Sequence, residues 1–319
     1  MNGLIVMYHY VRPDAEKIPA GIRPLLASEF QKQLDWLCDR YDVLPASEFL
    51  NRVNNRSRRK TAMELPPCLL TFDDGTKDHA QFVTPMLLER GLSGVFFVLA
   101  GPAERRIMPL THAIHWLLGG DENIVWESFQ KHARDHLGGP EALGNSSEAE
   151  RIYHYETPIR ARIKYAANMA LPADATERIV QAAVSASGRT MKELAQEWFV
   201  SAEDIRMMHA AGMAIGLHGC THRSLQTLGA AGISEEIHHC SQYVASLTGR
   251  RSSWYACPFG GSGAARGEIS AMRDAMREVG ISASVSTEKR FVHLGCDPLA
   301  LPRFDAIDLP PKKAQPLAA

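Results

Sequence analysis

Cys68-Leu69-Leu70-Thr71-Phe72-Asp73-Asp74-Gly75 is the stretch on which the fold turns. A short uncharged run that stops at an Asp-Asp-Gly turn reads as a strand buried on both faces. The segment after it starts near Asp78 and carries Phe82, Val83, Met86 and Leu87 inward as a helix, with Pro85 expected to kink its first turns or delay its start. Gly91 ends that helix, and Gly94 to Leu99 is the next apolar run. Strand, helix and strand joined by short loops is the pattern of a parallel sheet, so the fold class expected is α/β.

Working outward, Leu4-Ile5-Val6-Met7 reads as another buried strand. Ser28-Glu29-Phe30-Gln31 has capping-box spacing ahead of a helical face made of Phe30, Leu34 and Leu37. Tyr41 to Leu44 is a further short strand, and Ser47 opens a helix. Downstream, Ser201-Ala202-Glu203-Asp204 caps a helix that leads to a strand over Met213 to Leu217. Ser234 to Thr248 is a helix closed by Gly249, and strands over 253–256 and 283–286 flank a helix over 266–279. Between these halves the strand pattern vanishes. Residues 111–118, 123–137, 148–155, 158–170, 174–186 and 190–199 all suit helices.

Composition removes several function classes. The 319 residues are 45% hydrophobic and 22% charged, as expected of a globular chain. Lysine plus arginine (35) against aspartate plus glutamate (36) gives a net charge of -1, with no global pull toward nucleic acid or an anionic membrane. The basic run Arg56, Arg58, Arg59 and Lys60 lacks interleaved aromatics and reads as a solvated loop. The longest charge-free apolar stretch, Gly91 to Ala103, has 13 residues, whereas a spanning helix needs ~20. Met1 to Met7 carries no basic leader, and the six cysteines (Cys38, Cys68, Cys220, Cys240, Cys257, Cys296) show no C-x-x-C pair. Reduced thiols in a cytoplasmic protein are the expectation.

Three features sit where strands end, the place where parallel α/β folds gather their chemistry. At Asp73-Asp74, adjacent carboxylates are costly unless a cation or proton separates them. One can bind a metal while its neighbour stays free as a base; the plain alternative is a turn that satisfies its own backbone. In His218-Gly219-Cys220-Thr221-His222, histidines four apart converge on one ion if the backbone curls, and two histidines with one carboxylate are a recurrent set for Zn²⁺ or Fe²⁺. Cys220 is expected to point away from that ion. In Tyr255-Ala256-Cys257-Pro258-Phe259-Gly260-Gly261, the Pro-aromatic-Gly turn suits a loop that aims a backbone N–H at an oxyanion.

Together these features resemble the polysaccharide deacetylase (NodB-homology) family of carbohydrate esterases. The first corresponds to its T-F-D-D-G motif, and the second to H-[ST]-x-x-H with Gly219 in place of Ser or Thr. The third corresponds to R-x-P-Y-G, with Ala256 for the arginine and Phe259 for the tyrosine. Met7-Tyr8-His9-Tyr10-Val11 looks like the M-Y-H-x-V segment of exopolysaccharide deacetylases. The resemblance implies a distorted (β/α) barrel of the NodB type with parallel strands and a large helical insertion. On that basis 1–100 and 201–309 form one barrel, 101–200 is the insertion, serving as a lid or an interaction surface, and 310–319 is a flexible tail.

The same resemblance implies hydrolysis of an N-acyl group, usually acetyl, from an amino sugar of a surface glycan or its precursor. Asp74, His218 and His222 would hold a divalent ion, zinc first, with nickel, cobalt or iron as substitutes. Asp73 would be the base, His9 the acid, and Phe259, Pro258, Gly260 and Tyr255 the oxyanion and substrate contacts. Arg303, after Leu301-Pro302, is the arginine expected to orient Asp73. The partner implied is a glycan; the helical stretch leaves open either substrate contacts or packing against a second copy of the chain, and no nucleic acid is expected. Two rival readings are an amidohydrolase for a small non-sugar amide or imide, and a non-catalytic glycan-binding homologue.

Overall fold

The apolar runs Leu4–Tyr8, Pro67–Phe72 and Val95–Val98 lie side by side and parallel, with Tyr8 opposite Phe72 and Phe72 opposite Phe96. The computed structural model describes residues 2–14, 21–54, 65–105, 107–261 and 263–310. Within these, the main sheet runs in the order Phe304–Asp305, Leu4–Tyr8, Pro67–Phe72, Val95–Val98, Ala214–Leu217, Trp254–Ala256, Ala283–Val285. Every neighbouring pair is parallel, and Asp42–Val43 adds beside the start of Pro67–Phe72. A parallel bridge from Val285 to Leu301 carries the last strand toward the first, because Phe304 pairs with Val6 only three residues further on. The result is a curled, barrel-like parallel sheet.

Strand alternation sorts the side chains into two layers. Ile5, Leu69, Val95, Phe97, Trp254, Ala256, Val285 and Leu301 share one buried cluster inside the curl. Leu4, Val6, Tyr8, Leu70, Phe72, Phe96, Val98, Leu217 and Tyr255 face the helices, among them Phe30, Leu34 and Leu37 of Ala27–Arg40. Phe72 stacks between Tyr8 and Phe96, with ring centroids at 5.2 and 4.6 Å. The helices Leu110–Leu117, Glu122–His136, Ser146–Ile152, Pro158–Tyr165, Ala173–Ala186 and Met191–Trp198 gather around a separate core. Ile114, Phe129, Ile163, Val180 and Leu194 build that core, and Tyr10 and Leu99 join it from the barrel side.

Local details differ from the expectation where a side chain found a better partner. The first helix begins at Ala27, and Glu29 accepts the Leu26 N–H at 3.0 Å, so Ser28 lies within the first turn instead of capping it. Pro85 does delay the α-helix: His79–Val83 is one wide π turn, and Thr84–Glu89 follows with Pro85 in its first turn, where its missing N–H is harmless. The helix expected from Ser234 starts earlier and spans Gly229–Thr248. The basic run 56–60 and residues 311–319 of the tail lie outside the described residues. Among the described residues, no helix is long and apolar enough to cross a membrane.

Candidate active site

The alternation that separates the two layers also delivers the site. Asp73 continues the inner set of Leu69 and Thr71, and the Asp73 N–H donates to Tyr8 O at 2.9 Å, which extends the ladder past the strand ends. Asp74 would then face outward, but its backbone takes a left-handed conformation (φ 76°), turning the second carboxylate to the same mouth. Among the described residues, the non-glycine positions with positive φ are Asp74, His222 and Phe259. Such conformations cost roughly 1–3 kcal/mol each and persist where the surroundings enforce them. All three are at this site.

His218 follows the strand Ala214–Leu217 on its inner face, and its Nδ1–H donates to Ala256 O at 2.7 Å. That bond orients the ring and points Nε2 at Asp74 Oδ1, 3.2 Å away, where it donates a hydrogen bond to the carboxylate; with that proton released, the same nitrogen offers a lone pair to an ion. His222 Nε2 is also 3.2 Å from Asp74 Oδ1. Donor atoms of Asp74, His218 and His222 all lie within 4.8 Å of one another. A tetrahedral ion with bonds of about 2.0–2.1 Å separates its ligands by roughly 3.3 Å, so this spacing and this donor chemistry fit a divalent cation. The carboxylate is buried, which by itself raises its pKa. Facing His112 and His222, and hydrogen-bonded to His112 and His218, it lies well below the ordinary value.

Arg303 closes on the other carboxylate. Its guanidinium donates to Asp73 Oδ1 and Oδ2, both at 2.7 Å, to Thr71 Oγ1 at 3.2 Å and to Ser286 O at 3.0 Å. Burial pushes the Asp73 carboxyl up, but the Arg303 charge and hydrogen bonds, with His218 and His9 behind them, hold it below the ordinary value. His9 continues the inner parity of Ile5 and Met7. It lines a cavity of about 700 Å³ together with Tyr10, Asp74 and His115, and its carbonyl accepts from His79 Nε2 at 2.9 Å.

Pro258, Phe259 and Gly260 form the turn after Trp254–Ala256, and the Phe259 ring packs edge-on against His222 with centroids 4.8 Å apart. Tyr255 requires a correction. It was expected among the substrate contacts, but the period of two places it in the helix-facing layer, 2% exposed and hydrogen-bonded to Cys257, away from the mouth. Cys220 turns its sulfur to Glu236 O at 3.5 Å.

Two residues escaped the sequence reading. Glu236 accepts from the N–H groups of Cys220 (2.6 Å) and Thr221 (3.0 Å) and from Thr221 Oγ1 (2.6 Å), so one carboxylate ties the histidine turn together. It also explains Gly219: φ is +81°, and a Cβ there would stand 2.8 Å from Glu236 Oε2. His112, from the helical region, is 1% exposed and donates from Nε2 to Asp74 Oδ2 at 3.1 Å. The one sequence signal was a pair of histidines, His112 and His115, three apart in an apolar helix.

The arrangement is an inner-face constellation at the carboxyl ends of parallel strands, in the fold of the NodB-type (β/α) barrel. The family model described as polysaccharide deacetylase matches residues 175–283, about a third of the chain, including the His218 and Phe259 loops. This is the family that the motifs resemble. The Streptococcus pyogenes deacetylase PplD in complex with acetate is 13% identical, with 96% of this chain and 92% of that chain covered and a TM-score of 0.57. IcaB from Ammonifex degensii is 16% identical over 95% and 90% of the two chains, with a TM-score of 0.55. The BpsB deacetylase domain from Bordetella bronchiseptica is 12% identical over 95% of each chain, with a TM-score of 0.51. No curated protein matches the chain.

Proposed function

We propose that the chain is a metal-dependent N-deacetylase acting on an amino sugar of a bacterial surface glycan or its precursor. The observation that carries this reading is the convergence of Asp74, His218 and His222 beside a second carboxylate held at both oxygens by Arg303. A divalent cation held by these three residues, zinc before nickel, cobalt or iron, would polarise the amide carbonyl and acidify a water.

The protein groups supply the rest. Each Asp73 oxygen keeps a free lone pair beyond its bond to Arg303, so Asp73 accepts the proton of the attacking water. The guanidinium keeps that carboxylate ionised but weak, which suits a water of raised acidity and allows the proton to leave again. His9, which lines the cavity with Asp74, gives a proton to the departing amine, without which an amide C–N bond breaks slowly. The turn at Phe259 supplies the backbone N–H proposed for the oxyanion. Tyr155, Arg160 and Lys164 of the helical region line the same cavity as His9. Its volume of about 700 Å³ is within the ~300–1,000 Å³ of small-molecule sites, which supports a sugar unit or short glycan as the occupant. Six free cysteines are in keeping with a cytoplasmic enzyme that meets a precursor.

The test pairs elemental analysis with acetate release from a panel of N-acetyl sugars, set beside small amides and cyclic imides. Asp74→Ala and His222→Ala are expected to lose metal and activity together. Asp73→Asn is expected to keep metal and lose ~10²–10⁴-fold in rate, and His9→Ala to keep metal and lose turnover on amides. Full metal occupancy with unchanged turnover in the Asp74, His222 and Asp73 variants refutes the site. Imide hydrolysis without sugar deacetylation moves the assignment to the small-amide reading, and glycan binding without turnover moves it to the binding protein.

A further inference from the structure

We propose that His112 is a positioning residue for the metal centre, turning Asp74 so that one oxygen faces the two ligand histidines while the other is held by the helical region. This rests on the proposed metal-binding reading and names a residue that the motif pattern does not contain. The two oxygens of Asp74 are used differently. Oδ1 is 3.2 Å from both His218 Nε2 and His222 Nε2, and Oδ2 accepts the His112 Nε2–H at 3.1 Å. His112 is not part of the trio whose donor atoms lie mutually within 4.8 Å. The geometry is that of an outer partner that orients a ligating carboxylate.

The surroundings give no other reason for an imidazole at this position. His112 sits in the helix Leu110–Leu117, buried edge-on against the rings of Phe199 (4.9 Å) and His222 (5.4 Å). Among the described residues, its hydrogen-bond partner is Asp74, and its Nδ1 is buried without one. A buried nitrogen left without a partner is unfavourable, and an apolar ring would fill this wall without it. The bond to Asp74 is what the histidine adds. Because His112 belongs to the helical region and Asp74 to the barrel, metal affinity depends on the docking of one against the other.

Glutamine and asparagine separate the possibilities. The His112→Gln amide nitrogen can reach the place of Nε2 and keep the donor; in His112→Asn it stops at the place of Nδ1 and cannot reach Asp74. Chelator-stripped protein is titrated with Zn²⁺ against a chromophoric competitor, and the Co²⁺ absorption spectrum is recorded for each variant. His112→Asn is expected to bind Zn²⁺ ~10–100-fold more weakly than the parent, the usual cost of losing such a partner. His112→Gln is expected to restore affinity to within about threefold, with a Co²⁺ spectrum like the parent's. Parental affinity in His112→Asn overturns the proposal. Failure of His112→Gln with an altered Co²⁺ spectrum also overturns it, because the imidazole would then be a ligand itself. A parent protein that binds neither ion refutes the underlying metal-site reading instead.

Discussion

Arg303→Met removes the charge that sits on the proposed base while keeping most of the side-chain bulk. In the parent, Arg303 and Asp73 are 2% and 3% exposed and share two bonds of 2.7 Å, with Thr71 Oγ1 and Ser286 O completing the guanidinium's partners. Removing one member of such a buried pair costs about 3–5 kcal/mol, mostly because the remaining charge is left without compensation. The sign with pH follows from Asp73. Its folded-state pKa is depressed in the parent, so its contribution is present above the unfolded value of about 3.9 and is lost as pH falls through the folded one. Without Arg303 the burial effect leads, the folded pKa moves up, and the remaining penalty at neutral pH is relieved as acid protonates the carboxyl. Urea unfolding of the metal-free protein is therefore expected to show a deficit of about 3–5 kcal/mol at pH 7 that narrows toward pH 4.5. In the Asp73→Asn/Arg303→Met double variant, the combined loss is expected to fall well short of the sum of the single losses. A deficit below about 1 kcal/mol at pH 7, or one that stays constant on acidification, refutes the clamp.

Further expectations concern the groups around the site. Glu236→Ala is expected to lower stability by at least about 2 kcal/mol and weaken Zn²⁺ binding, since a charged acceptor of several bonds is lost; calorimetry and metal competition read the two effects. Gly219→Ser, which restores the family's usual residue type, is expected to destabilise by about 1–2 kcal/mol through its left-handed backbone. A gain in melting temperature for that variant would contradict the fit to Glu236. Burial lowers the His79 pKa to about 4; its Nε2 bonds His9 O, and its Nδ1 has no partner among the described residues on which a proton would be stabilised. A depressed histidine contributes its full stability above the unfolded value near 6.5 and loses it as pH falls toward about 4, roughly 3 kcal/mol in all. His79→Gln, which can keep the donor to His9 O, is expected to lack that component when unfolding free energies of the two proteins are compared across pH 7 to 4.

The buried strands were legible because each is a short apolar run: Leu4–Tyr8 stops at a histidine, Pro67–Phe72 stops at the Asp-Asp-Gly turn, and Val95–Val98 follows Gly94 within one uncharged stretch. The helices from Leu110 to Trp198 were legible too, since each repeats its apolar residues with the helical period. Tyr255 was misread because the run Trp254–Ala256 is apolar throughout, and such a run does not announce which of its residues faces inward. The first helix cap was misplaced by one competing partner, Glu29 reaching the Leu26 N–H.

The chain's own order of residues therefore determined the parallel α/β class, the helical stretch between its halves, and the side chains Asp73, Asp74, His218 and His222 at the strand ends, whereas His9 and Arg303 were named through the family resemblance. These properties depend on spacing of a few residues, and a linear text carries them. The pairing of Arg303 with Asp73 was an expectation from the family resemblance, and folding supplied its two-oxygen geometry across 230 positions; folding alone decided that Glu236 ties the histidine turn and that His112 holds the far oxygen of Asp74. Such contacts are set by sheet curvature, by the left-handed backbone at Asp74 and His222, and by the packing of two separate cores. A carboxylate draws its partners by distance and burial, and neither exists until the chain has closed on itself.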